Sequence, residues 1–127
     1  MSRASGVTRL LSRVTALAIL VLPLMAAAPQ GDLPSWVSAL ITKLEREPVA
    51  SPPAYIARFL YRGDTVYYLP SRCCDVPSTV FNKVGAVICS ADGGYTGGGD
   101  GRCADFFQGR RDEKIVWRDP RSRRHSY

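Results

Sequence analysis

Histidine occurs once in these 127 residues, at His125, close to the C-terminus. A Ser-His-Asp or Cys-His arrangement therefore has no well-placed base in the body of the chain. Cys-x-x-Cys is missing, and with it the usual mark of a thioredoxin-like redox pair. There is no Gly-Lys-Ser/Thr, so a phosphate-cradling loop of the P-loop kind is excluded. A net charge on the body of the chain is missing as well, although the formal value of +6 for the whole sequence first suggests nucleic acid. Arg3, Arg9 and Arg13 stand at the N-terminus, and Arg118, Arg121, Arg123 and Arg124 at the other end. Residues 29–117 hold ten basic and ten acidic side chains, a balance of zero. A basic stripe on the folded body, which a nucleic-acid partner would need, is not there.

A long apolar run is the last absence. The longest, Val14 to Ala28, is interrupted by Thr15 and Pro23. It falls short of the roughly 20 residues that cross a bilayer. Three arginines before it and the small residues Ala26, Ala27 and Ala28 at its end give it the order of a secretory signal peptide, cut after Ala27 or Ala28. The organisation expected is a signal peptide over 1–28, a Pro/Gly linker over 29–31, a single domain over 32–119 and a disordered basic tail over 120–127. The expected location is secreted or periplasmic, with no stable membrane span after cleavage. A domain this small buries a modest share of its surface, roughly 60–65%, so cross-links matter to its stability.

Within the domain a helix is signalled first. Asp32 is placed to cap it, Pro34 suits its first turn, and Trp36, Val37, Leu40, Ile41 and Leu44 recur at spacings of three and four before Pro48 ends it. Tyr55 to Tyr61 and Thr65 to Leu69 alternate as strands, and Arg62-Gly-Asp64 between them reads as a hairpin turn rather than an integrin motif. A second hairpin is expected from Thr79-Val-Phe81 to Ala86-Val-Ile-Cys89, and a fifth short strand at Lys114-Ile-Val-Trp-Arg118. The fold class expected is α+β: one N-terminal helix packed on a small antiparallel sheet of four to five strands, stapled by two disulfides.

All four cysteines, Cys73, Cys74, Cys89 and Cys103, follow that first hairpin. Behind an export signal they read as disulfides. Adjacent cysteines have α-carbons about 3.8 Å apart, whereas a bridge wants roughly 4.4–6.8 Å. Each of the adjacent pair is thus expected to take a distant partner, Cys73 with Cys89 and Cys74 with Cys103, or the reverse. A vicinal redox pair of Cys73 and Cys74, which would make the protein a thiol-disulfide enzyme, is the competing reading. A four-cysteine zinc site lacks the necessary ligand spacing.

The loop that starts at Asp92 puts six glycines into ten residues, and Asp92, Asp100 and Asp105 lie near one another in sequence. Carboxylates and backbone carbonyls from such a loop are what calcium takes, so these three are the candidate metal ligands. The EF-hand order is absent, and Cys103 stands where a Gly-Gly-x-Gly-x-Asp repeat needs its aspartate. The alternative is a tight disulfide-held turn whose aspartates satisfy backbone N–H groups, with no cofactor.

Cys73-Cys74-Asp75, Val87-Ile-Cys89, Asp92-Gly-Gly, Gly99-Asp-Gly-Arg-Cys103 and Phe106 together resemble an uncharacterised family of small bacterial secreted proteins and lipoproteins that carry a domain of unknown function. The resemblance runs over about residues 36–119 and implies an exported single-domain protein with no activity to transfer. A lipid-attachment cysteine is missing after the leader, which favours a free form. The function expected is a non-enzymatic binding or envelope-associated module for an unidentified protein or cell-envelope partner. A calcium-binding domain and a redox or hydrolytic enzyme are the alternatives.

Overall fold

The turn at Arg62-Gly63 sets the first strand pair. Both residues take positive φ, 51° and 83°, the signature of a two-residue type I′ turn whose twist matches that of the strands it joins. The computed structural model describes residues 32–73 and 75–121. In it β1 (Tyr55–Tyr61) and β2 (Asp64–Leu69) pair antiparallel with Tyr61 opposite Asp64 and Ala57 opposite Tyr68. The second hairpin joins β3 (Thr79–Asn82) to β4 (Val87–Cys89). The fifth strand is longer than expected, β5 (Arg111–Arg118), and lies against β1, so the sheet order is β4-β3-β2-β1-β5 with every neighbour antiparallel. β5 forms one edge, where bulges and the positive φ of Asp112 (55°) interrupt the ladder. Charged and irregular, that edge is a poor template for further strands.

The helix α1 (Ser35–Arg46) covers one face of the sheet. Its stripe is the one the spacing predicts: Val37 and Leu44 are buried, and Trp36, Leu40 and Ile41 pack beside them on Ile56 and Tyr67. The Trp36 ring meets Tyr67 edge-on at 5.1 Å and Phe81 at 5.3 Å, and its indole N–H donates to the Lys83 carbonyl at 3.0 Å. Asp32 is not the cap. The N-cap is Pro34, which has no side chain to donate or accept, and its carbonyl instead receives the Val37 and Ser38 amides.

The opposite face is covered too, which the sequence reading did not anticipate. A short helix, α2 (Phe106–Gly109), and the cysteine loop close over Ala57, Phe59, Tyr61, Val66, Tyr68 and Val80. Phe106 is fully buried and sits 5.2–5.6 Å, centroid to centroid, from Phe59, Tyr61, Tyr68 and Phe107. Burial of a side chain this large stabilises by about 1.5–3 kcal/mol from transfer alone. Coverage on both faces is why Tyr55–Tyr61 carries apolar residues at even and odd positions alike.

The chain end is tied down rather than frayed as far as Arg121. Asp119 is 2% exposed and binds the Arg121 backbone N–H and guanidinium. That guanidinium in turn donates to the carbonyls of Leu44, Glu45 and Glu47 at 2.9–3.2 Å. These carbonyls lie at the end of α1, where Leu44 also accepts the Glu47 amide, and a cation belongs there by the helix dipole as well. Two residues of the expected basic tail, Pro120 and Arg121, thus belong to the described body, and its remainder, with His125, lies outside the described residues, as do the expected signal peptide and linker. Among the described residues no helix is long and apolar enough to cross a membrane.

Candidate functional site

β4 ends at Cys89, and the chain does not turn back to the sheet until α2. Between them the disulfide Cys89–Cys103 closes the loop at its base, with α-carbons 6.0 Å apart and both residues buried. Closing a loop with a sequence separation of 14 contributes about 3 kcal/mol in the chain-entropy picture. The pairing corrects the expectation. Cys89 and Cys103 are joined to each other, so neither is the distant partner of Cys73 or Cys74. The reason is packing: Cys89, at the end of the edge strand β4, and Cys103, just before α2, are both buried in the cluster that Phe106 fills, whereas Cys73 is exposed. Cys73 is itself disulfide-bonded, and Cys74 lies outside the described residues. One disulfide is therefore described where two were expected.

The loop inside this bridge has a fixed backbone. Gly93 donates to Gly97, Gly97 to Gly94, Gly99 back to Gly93, and Asp100 to Ser90, all at 3.0–3.1 Å. Gly99 shows what the glycines are for. At φ +71° it passes so close to the preceding strand end that a Cβ would stand 2.1 Å from the Ser90 carbonyl oxygen. A single anchor holds the start of the loop against the sheet. Ser78, fully buried, accepts the Ala91 and Asp92 amides on its hydroxyl at 3.1 and 3.0 Å and donates that hydroxyl to the Asp92 carbonyl. Nothing in the local sequence marks Ser78; its partners are 13 and 14 residues away.

The three candidate metal ligands go to three separate partners. Asp92 accepts the Tyr68 hydroxyl at 2.9 Å; burial and this carboxylate push the Tyr68 phenol well above its ordinary range. Asp100 accepts the backbone N–H and the guanidinium of Arg102, an Asx turn whose amide bond holds its carboxyl below the usual value. Asp105 lies under the first hairpin turn, taking the Tyr61 hydroxyl at 2.6 Å and the Arg62 guanidinium at 2.7 Å. The Tyr61 hydroxyl does most to lower its carboxyl, while burial and then Asp105 raise the Tyr61 phenol. Among the described residues no group of three or more His, Cys, Asp or Glu side chains is arranged to hold a metal ion. The arrangement is thus a set of internal struts.

What the struts present is Tyr95. It is 96% exposed at the tip of the loop, the most exposed large hydrophobic side chain among the described residues. Sequence reasoning counted it only as one letter of a glycine-rich motif. A tyrosine followed by glycines in a disulfide-closed loop was the available signal.

An antiparallel sheet sheathed by one helix and one disulfide-closed loop defines a small α+β domain built to hold a loop rigid. The chain belongs to a family of domains of unknown function, DUF6970, whose match spans residues 42–119 and so covers more than half of it. No curated protein matches the chain, and no solved structure does.

Proposed function

We propose that this protein is an exported, non-enzymatic binding module that engages a protein or cell-envelope partner through the Cys89–Cys103 loop, with Tyr95 as the anchor. The observation that carries the reading is a 96% exposed aromatic on a backbone fixed by a disulfide, internal hydrogen bonds and a buried serine. Exposing an apolar ring costs free energy, and ordering the loop beforehand removes an entropic cost from binding. Tyrosine is among the residues that carry most of the energy at protein interfaces. Export is supported by the leader pattern and by the disulfide, since such bonds persist in oxidising compartments. The titratable groups near the loop also favour binding over proton transfer. Tyr61 and Tyr68 are shifted up and Asp100 and Asp105 down, so each is locked in one protonation state near neutral pH.

A photo-crosslinking amino acid placed at position 95 in the exporting cell tests this. The expected result is one adduct of defined mass that is lost from position 42 on α1 and competed by added wild-type protein but not by Tyr95→Ala protein. Equal adducts from both positions, or none from position 95, would overturn the reading.

A further inference from the structure

At the other end of the sheet the two hairpin turns stand side by side, because β2 pairs with β3 and brings Val66 opposite Asn82. Between them lies a cleft of about 360 Å³, lined by Tyr61, Val66, Val84 and Ile88 together with Arg62, Asp64, Thr65, Asn82 and Lys83. That volume is at the small end of ligand pockets, which run from about 300 to 1,000 Å³.

Both walls are built in advance. On one side the Arg62 guanidinium lies 4.8 Å from the centre of the Tyr61 ring and pairs with Asp105 at 2.7 Å. On the other, the Asn82 side-chain oxygen accepts the Val84 and Ala86 amides at 3.0 and 2.9 Å, and Trp36 holds the Lys83 carbonyl from the opposite face of the sheet. With its oxygen taken, Asn82 offers the cleft an NH2 donor. Gly85, at φ +91°, lets this turn close over Trp36, where a Cβ would meet the ring at 2.8 Å.

The charges decide what fits. Arg62 and Asp105 neutralise each other. That leaves one cation, Lys83, and one anion, Asp64; both are exposed, and neither makes an ion pair among the described residues. An anionic ligand would meet Asp64, and a cationic one Lys83, with like charge.

The geometry points to a site for a small apolar zwitterion, a free α-amino acid or dipeptide. Its ammonium faces Asp64, its carboxylate faces Lys83 and the Asn82 NH2, and its apolar side chain lies on Val66, Val84 and Ile88. This site is separate from the Tyr95 loop, so either can fail without the other.

The probe is L-leucine, titrated into the oxidised full-length protein and followed by the methyl NMR signals of Val66, Val84 and Ile88. N-acetyl-leucine, which lacks the ammonium, and leucinamide, which lacks the carboxylate, run beside it. Saturable shifts at those methyls are expected for leucine, with both blocked compounds at least about tenfold weaker, as loss of one charge-assisted hydrogen bond of about 1.4 kcal/mol implies. Lys83→Met should bring leucine down to the leucinamide level, and Asp64→Asn down to the N-acetyl-leucine level. Both changes fall on exposed positions, and the unchanged spectrum of the remaining methyls shows that the fold is intact. No shifts with leucine at about 10 mM, well past the weak end of small-ligand affinity, would overturn the proposal. So would equal binding of the blocked compounds, or shifts confined to other residues.

Discussion

Replacing Ser78 with alanine removes one oxygen atom and leaves three backbone groups to account for. The hydroxyl accepts two amides, Ala91 at 3.1 Å and Asp92 at 3.0 Å, and donates to the Asp92 carbonyl at 3.1 Å. The carbonyl keeps a partner, because the Ser78 amide also reaches it, at 2.9 Å. The two N–H groups have no such second partner among these contacts, and Ser78 is fully buried. Leaving a buried donor unsatisfied costs about 1–3 kcal/mol, so the pair implies a loss of about 2–6 kcal/mol in Ser78→Ala. For a domain of this size each kcal/mol moves the thermal midpoint by about 4–8 °C, which puts the expected fall on the order of 15 °C. Calorimetry of the oxidised protein measures it. Amide exchange should show Ala91 and Asp92 losing protection ahead of the strand amides of β1 and β2. Ser71, whose hydroxyl donates to the Val76 carbonyl at the surface, is the control, and Ser71→Ala should stay within about 0.5 kcal/mol. A Ser78→Ala loss as small as the control's would refute the claim that this hydroxyl anchors the loop.

Two further outcomes follow from the carboxylates. Millimolar calcium should leave the thermal midpoint where chelator leaves it, because binding would have to displace Tyr68 from Asp92, Arg102 from Asp100, and Tyr61 with Arg62 from Asp105. A rise of several degrees with calcium would show preferential binding to the folded state and restore the metal reading. On the pH axis, Asp119 is held below its ordinary value of 3.8 chiefly by the Arg121 guanidinium, and Asp105 by Tyr61 and Arg62. Their contribution is present above that value and lost as pH falls through the lower folded value, so stability should drop below about pH 4. Asp119→Asn should lower the midpoint at neutral pH and flatten that acid limb; an unchanged limb would mean that Asp119 is not a source of it. At the alkaline end Tyr61 and Tyr68 are raised above 10.0, so their contribution is present below that value and is lost as pH climbs past it.

Much of the framework was legible because its causes are local. The stripe Trp36, Val37, Leu40, Ile41 and Leu44 repeats at the helical period and became α1; Arg62-Gly63 has the composition of a hairpin turn and became one. Chain ends of elements were less legible. Asp32 has the side chain of a cap, yet the chain enters the helix through Pro34, and the last strand runs back to Arg111 because β1 supplies partners that far.

The candidate site was legible as a place and not as an arrangement. Cysteines and glycines marked the region, but the spacing argument against a bridge between the adjacent Cys73 and Cys74 sent Cys89 and Cys103 to those two rather than to each other. Only packing in the cluster that Phe106 fills joined Cys89 to Cys103. Likewise three aspartates close in sequence take three different partners, Tyr68, Arg102 and Tyr61.

By itself, then, the sequence determined the helix, the two hairpins, a body without net charge and a glycine-rich loop among disulfide-forming cysteines. Periodicity, turn chemistry and composition act between near neighbours and can be read in one dimension. The tertiary structure alone decided which cysteines meet, that both faces of the sheet are covered, that Ser78 anchors the loop, that Arg121 caps a helix 74 to 77 residues upstream, and that Tyr95 is left outside. Each of these is a contact between distant residues, fixed by which strands pair and which faces close rather than by any property of the residue itself.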